Sequence, residues 1–178
     1  MTGFRWNENH TFGSVLASTN AVEQHARMND DVTSEPTAEG WRTVDDGPFV
    51  GWLIWPGDAF ETLAGPFLFR CDEGIARGAF MPDGRHVNGH GIVHGGALVT
   101  FADAMAASLV HLTLDGQWAV TVTLNTEFMG AGVSGAPIEA TGRVVRATKS
   151  MVFVQGHIEQ SGQPILAFSS VMKKVTPP

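Results

Sequence analysis

Most of the chemistry this chain can offer sits in one run, Arg85-His86-Val87-Asn88-Gly89-His90-Gly91-Ile92-Val93-His94-Gly95-Gly96, with Asp103 a little further on. Three kinds of site use such residues. His86, His90 and His94 recur at every fourth position, a spacing that lines one face of a helix and offers three imidazoles to a metal ion. Gly89, Gly91, Gly95 and Gly96 lie among them, and each costs a helix about 1 kcal/mol against alanine, so no metal site is expected. A dinucleotide loop is the second reading. Gly89-His90-Gly91-Ile92-Val93-His94-Gly95 misses G-x-G-x-x-G by one position, and no parallel-strand unit surrounds it.

The third reading is an oxyanion site. A glycine-rich loop that runs into a helix leaves the first backbone N–H groups unpaired at the positive end of the dipole, and small residues let a carbonyl approach them. Gly95 and Gly96 stand in that place. Asp103, eight residues beyond Gly95, lies about 12 Å along such a helix at 1.5 Å per residue, too far to serve a carbonyl held at its own helix's start. The spacing suits a composite site in a two-fold dimer, where a second helix runs the other way. The plainer reading of Asp103 is a polar residue where the helix meets solvent.

The elements that must position these groups follow from the rest of the sequence. Ala97 to Leu112 is long, apolar and rich in Ala and Leu, which makes it a helix, and being apolar nearly all round it must be wrapped. It carries Asp103 and His111 and is shorter than the roughly 20 residues of a membrane span, so no span is expected. Upstream, Ile75 to Met81 reads as a short strand ended by Pro82-Asp83-Gly84. Before it, aromatics broken by Gly and Pro from Trp41 onward suit short extended pieces and turns. Downstream, Trp118 to Phe128 alternates Val120, Val122 and Leu124 with Thr121, Thr123 and Asn125. Ile138 to Val145, Met151 to Ile158 and Ile165 to Met172 follow across short turns that predict antiparallel neighbours. The expected fold class is α+β, an antiparallel sheet curled around one buried helix.

Composition sets the limits. The chain has 178 residues, enough for one domain, read as a polar N-terminal appendage over 1–40 and a folded domain over 41–178. Eleven bases against eighteen acids give a net charge of −7, which disfavours nucleic acid as a partner. The charge is uneven: Arg143, Arg146, Lys149, Lys173 and Lys174 make the C-terminal stretch basic, a feature that fits either an anionic ligand or solvated strand edges. A single cysteine, Cys71, excludes an internal disulfide, and with no signal sequence visible at the N-terminus a cytoplasmic location is expected. Cys71 reads as a small apolar residue, Glu127 as an exposed strand residue, and His10, His25, His111 and His157 as structural or solvated.

The pattern His86-x-Asn88-x-x-Gly91-x-x-His94-Gly95-Gly96 with Asp103 on the following helix resembles that of the hotdog-fold acyl-CoA thioesterases, in particular the phenylacetyl-CoA thioesterase-like branch. Gly65-Pro66-Phe67 and Arg146-Ala147-Thr148-Lys149-Ser150 extend the resemblance over roughly Trp41 to Val175. It implies a central helix wrapped by an antiparallel sheet, self-association as a homodimer or dimer of dimers with sites at the interface, and hydrolysis of acyl-CoA to free acid and coenzyme A without a cofactor. By position, Asp103 would be general base or nucleophile and the Gly95 N–H would hold the thioester carbonyl. Asn88 would help place the carbonyl or water, His94 would shape the loop, and Thr121 would stand beside the water. His86, Gly96, Arg143, Arg146, Lys149 and Ser150 would contact substrate, the basic ones through the phosphates of coenzyme A. The alternatives are a non-catalytic acyl-CoA-binding hotdog protein and a hotdog dehydratase.

Overall fold

The structure, a computed structural model, describes residues 40–176, so the expected appendage, with His10 and His25, lies outside the described residues save for Gly40. In chain order the elements are β1 (Arg42–Thr43), β2 (Leu53–Ile54), α1 (Ala59–Ala64), β3 (Leu68–Asp72), β4 (Ile75–Phe80), α2 (Gly95–Thr113), β5 (Trp118–Phe128), β6 (Ile138–Ala147), β7 (Met151–Gln160) and β8 (Gln163–Val175).

The expected long helix is α2. His94 caps its start by accepting the Gly96 N–H on Nδ1 at 2.8 Å, and Asp115 and Gly116, both at positive φ, turn the chain away after its end. By length and composition it would qualify as a membrane span, yet it is the core of this domain: Leu98, Phe101, Met105 and Leu109 are fully buried. The sheet wraps it, all antiparallel, in the order β1-β2-β3-β4-β6-β7-β8-β5. Close approach of sheet to helix depends on Gly142, where a Cβ would lie 2.7 Å from a Leu109 methyl group.

Two expectations about the strands need correction. Short connections do make β6, β7 and β8 sequential neighbours, but β5 and β6 are not paired. Residues 129–137 carry the chain away, pinned by the Val93 N–H on the Gly132 carbonyl and by the Gln160 amide on Val133 and Ala136. β6 therefore joins β4, and β5 becomes the edge strand beyond β8.

The second correction concerns which face of β5 meets α2. Regular alternation would turn Val120, Val122 and Leu124 inward together. Instead Val120 and Val122 are 50% and 53% exposed, while Ala119 and Leu124 pack on the core. A bulge changes the parity. Thr121 pairs with Met172 and Thr123 with Val171, leaving Val122 unopposed, so Ala119 and Thr121 face α2 before the bulge and Leu124 after it. The buried Ser170 hydroxyl supports the kink by donating to the Thr123 carbonyl at 2.8 Å.

The aromatic segment before β4 contains more order than its sequence suggests: three strands and the one-and-a-half-turn α1, which begins where Asp58 accepts the Phe60 and Glu61 N–H groups at 2.8 and 3.0 Å.

Candidate active site

Asp103 projects from the exposed side of α2, at the one place where that helix lies under the bulge of β5. Its Oδ1 accepts a hydrogen bond from Thr121 Oγ1 at 2.7 Å. Thr121 thus holds the carboxylate directly through that one oxygen. Beside the pair opens a cavity of about 340 Å³, lined by Asp58, Glu61, Thr100, Asp103 and Leu124 among others. One helical turn further on, Ala107, Ser108 and His111 floor a second cavity of about 260 Å³ walled by Trp41, Trp55 and Trp118. The three indoles pack edge to face, with centroids 5.4 Å apart for Trp41 and Trp55 and 5.2 Å for Trp55 and Trp118. His111 is buried against Trp41 and Trp118, so it is structural, as its place near the helix end suggested.

The histidine-rich run is a small hairpin-like loop rather than a helix. Val87 bridges to Val93, and the Asn88 N–H donates to the Ile92 carbonyl at 2.8 Å. The three histidines are therefore not stacked on one face, and among the described residues no group of His, Cys, Asp and Glu gathers as a metal site. His94 shapes the start of α2 by taking the Gly96 N–H, which leaves Gly96 no free donor for a ligand. The Gly95 N–H has no acceptor among the described residues. A Cβ at Gly95 would come within 3.1 Å of the Phe128 ring, so any larger residue there must displace that ring. Asn88 accepts the His90 N–H on its Oδ1 at 2.9 Å, and its amide nitrogen has no acceptor among the described residues.

His86, expected at the substrate, is buried and occupied at both ring nitrogens. Nδ1 accepts the Asp83 N–H at 3.0 Å, and Nε2 lies 2.8 Å from the Ala64 carbonyl, so it carries the proton and donates. Arg85 joins it, donating to the Leu63 and Gly65 carbonyls at 3.2 and 3.3 Å. Burial alone would raise the Asp83 carboxyl, but hydrogen bonds from the Arg85 side chain and backbone, and the Arg85 charge, hold it below its ordinary range. This Asp83–Arg85–His86 knot fastens the C-terminal end of α1 to the motif loop. His86 thus acts on the site by anchoring the helix that carries Glu61.

Arg143 and Arg146 stand exposed on β6, and Lys149 and Ser150 are exposed in the turn before β7. Register sorts them. Lys173 pairs with both Val120 and Met151, so the Lys149–Ser150 turn lies at the same end of the sheet as Thr121. Arg143 lies further along, in the row of Gln155, Ser169 and Asn125.

Residues 90–167 match the sequence profile of the thioesterase superfamily. That stretch runs from the motif loop through α2 to β8 of a hotdog fold. Solved structures share the hotdog fold. The conserved protein PA5202 of Pseudomonas aeruginosa is 19% identical, with a TM-score of 0.61 over 66% of this chain and 94% of that one. The PaaI protein of the Escherichia coli phenylacetic acid degradation operon is 24% identical, with a TM-score of 0.60 over 67% and 86%. Protein smu.793 of Streptococcus mutans, solved with acetyl-CoA bound, is 20% identical, with a TM-score of 0.56 over 61% and 88%. Among curated proteins none matches the sequence significantly. In this hotdog fold the α2 carboxylate of Asp103 accepts the β5 hydroxyl of Thr121, and the Gly95 N–H at the start of α2 has no acceptor among the described residues.

Thr121→Ala is expected to lower kcat about tenfold, the scale of one hydrogen bond to a charged group, with part of the loss made up by an entering water. Thr121→Ser should stay within about twofold of wild type, since the donor to Asp103 is retained. Steady-state hydrolysis of a thioester by both variants measures this, and an unchanged kcat in Thr121→Ala would remove the hydroxyl from the site.

Proposed function

We propose that the protein hydrolyses acyl-CoA thioesters to free acid and coenzyme A. The observation that carries this reading is the Thr121–Asp103 hydrogen bond at the edge of a cavity. Asp103 activates the attacking water or attacks the carbonyl itself, and a Gly95 N–H takes the charge that develops on the carbonyl oxygen. Asn88 helps place the carbonyl or the water through its free amide nitrogen. The acyl group fits the tryptophan-walled cavity, whose surface is mostly apolar and whose floor continues the Asp103 face of α2 by one turn. Lys149, Ser150 and Arg146, with Lys173 beside them in register, suit the phosphates of coenzyme A, and the fold neighbour holding acetyl-CoA supports that ligand class.

The active unit in this reading is a homodimer or a dimer of dimers. Gly95 and Asp103 stand about 12 Å apart on one helix, so a single chain cannot bring both to one carbonyl. β5 runs antiparallel beside α2, with Thr121 at Asp103 and Phe128 at Gly95. Among the described residues it is also an unpaired sheet edge, with Val120 and Val122 exposed. Pairing two such edges about a two-fold axis opposes the Thr121 end of one to the Phe128 end of the other, which brings the Asp103 of one chain toward the Gly95 of its partner.

A panel of acyl-CoAs, followed by thiol release with a thiol reagent, tests the activity and names the acyl group. Binding without thiol release would mean an acyl-CoA-binding protein, and loss of water from β-hydroxyacyl-CoA without thiol release would mean a dehydratase.

A further inference from the structure

Breaking the C–S bond of a thioester releases a thiolate, a base stronger than a carboxylate, and a positioned acid eases that departure. The Asp103 cavity contains a carboxyl group that the sequence motif does not include. Glu61 lines it together with Asp103, and also lines the tryptophan cavity next along α2, so it stands at the junction of the two. Its neighbour Asp58 is spent on capping α1 through the Phe60 and Glu61 N–H groups. No hydrogen bond or ion pair engages the Glu61 side chain among the described residues. α1 has only six residues and would not hold its own shape in water, but Arg85 and His86 grip its last carbonyls. The motif loop thereby fixes Glu61 against the site.

We propose that Glu61 is the general acid of the reaction, donating its proton to the sulfur of the departing thiol. This rests on the reading of Asp103 given above. In the first step water adds to the thioester carbon, Asp103 takes a proton from it, and the carbonyl electron pair moves onto oxygen at the Gly95 N–H. In the second the carbonyl re-forms, the C–S bond breaks with its electron pair going to sulfur, and sulfur takes the Glu61 proton. Free acid and thiol leave, and the proton held by Asp103 returns to Glu61, so one water is consumed and the protein is unchanged.

The electrostatics support this division of labour. Burial, then the charges of Asp58 and Asp103, push the Glu61 carboxyl up to about 7, so a large share of it is protonated at neutral pH. The other titratable groups around α1 do not oppose this: His111 lies across the tryptophan cavity, and the Arg85 guanidinium is committed to the Leu63 and Gly65 carbonyls and to Asp83.

Two thioesters of one acyl group provide the test, one on coenzyme A and one on 4-nitrothiophenol, whose thiolate departs without needing a proton. Glu61→Gln is expected to lower kcat about a hundredfold on the acyl-CoA and less than about threefold on the aryl thioester. For the wild-type protein, kcat/KM on the acyl-CoA should fall as pH rises through about 7, because the acid must be protonated, and the aryl thioester should lack that limb. Equal losses on both substrates, or no loss on the acyl-CoA, would overturn the assignment, as would a high-pH limb shared by both thioesters in the wild type. The wild-type profiles decide the matter even if the variant does not fold. Full activity in Asp103→Asn would sink the underlying mechanism, whereas an inactive Asp103→Asn beside an unimpaired Glu61→Gln would sink this proposal alone.

Discussion

Asp103→Asn is expected to fold like the wild type and to lose about a thousandfold in kcat, the range set by removing a general base or nucleophile. The folding half of that expectation follows from the position. The side chain is exposed, and the asparagine oxygen can still accept the Thr121 hydroxyl that Oδ1 accepts now at 2.7 Å. The activity half follows from chemistry, since a carboxamide can neither take a proton from water nor form an acyl intermediate. The loss should appear in kcat with KM little changed, because the carboxylate acts at the transition state and the cavities that hold the substrate are retained. Wild-type turnover in a well-folded variant would remove Asp103 from the mechanism.

The second large effect is a recovery from near zero. Asp103→Asn and Gly95→Val should each be almost inactive alone, the latter because its side chain would stand over the N–H that receives the carbonyl. The Phe128 ring at Gly95 is an exposed side chain and can move aside, so the second variant should also fold. Mixed under conditions that exchange subunits, the pair should regain roughly a quarter of wild-type activity. Random pairing makes about half the dimers mixed, and each mixed dimer has one site with both residues intact and one with neither. No recovery despite exchange verified by labelled subunits would place both groups within one chain and end the two-chain reading.

The parts of this fold that the sequence announces are those with a long uniform period. α2 and β5 through β8 lie where apolar content and alternation put them, and β5 spans the same Trp118–Phe128 in both readings. A short helix held by tertiary contacts was illegible: α1 sits in a stretch read as short extended pieces and turns, and it depends on Arg85 and His86 some twenty residues away. The site divides the same way. The family pattern implied Thr121 beside the water, and its hydroxyl donates to Asp103 itself. Glu61 had no sequence signal, because its character comes from lying half-buried beside two other carboxylates, and one acid on a short helix otherwise reads as solvated surface. His86 misled because the motif records that it matters and not what it touches.

The bulge in β5 has a consequence for chain length. Losing one residue from within a strand inverts every side chain on one side of the cut relative to the sheet. In β5 this strand already carries its extra residue at Val122, with Thr121 opposite Met172 and Thr123 opposite Val171. Deleting Val122 would close those two pairs into an unbroken ladder while Thr121 still faced Asp103 and Leu124 still faced the core. A deletion at Ala119 or Thr126 has no such slack and would turn one end of the strand over. The strand that carries Thr121 can therefore shorten by one residue at its kink, and only there, with both of its ends keeping their faces.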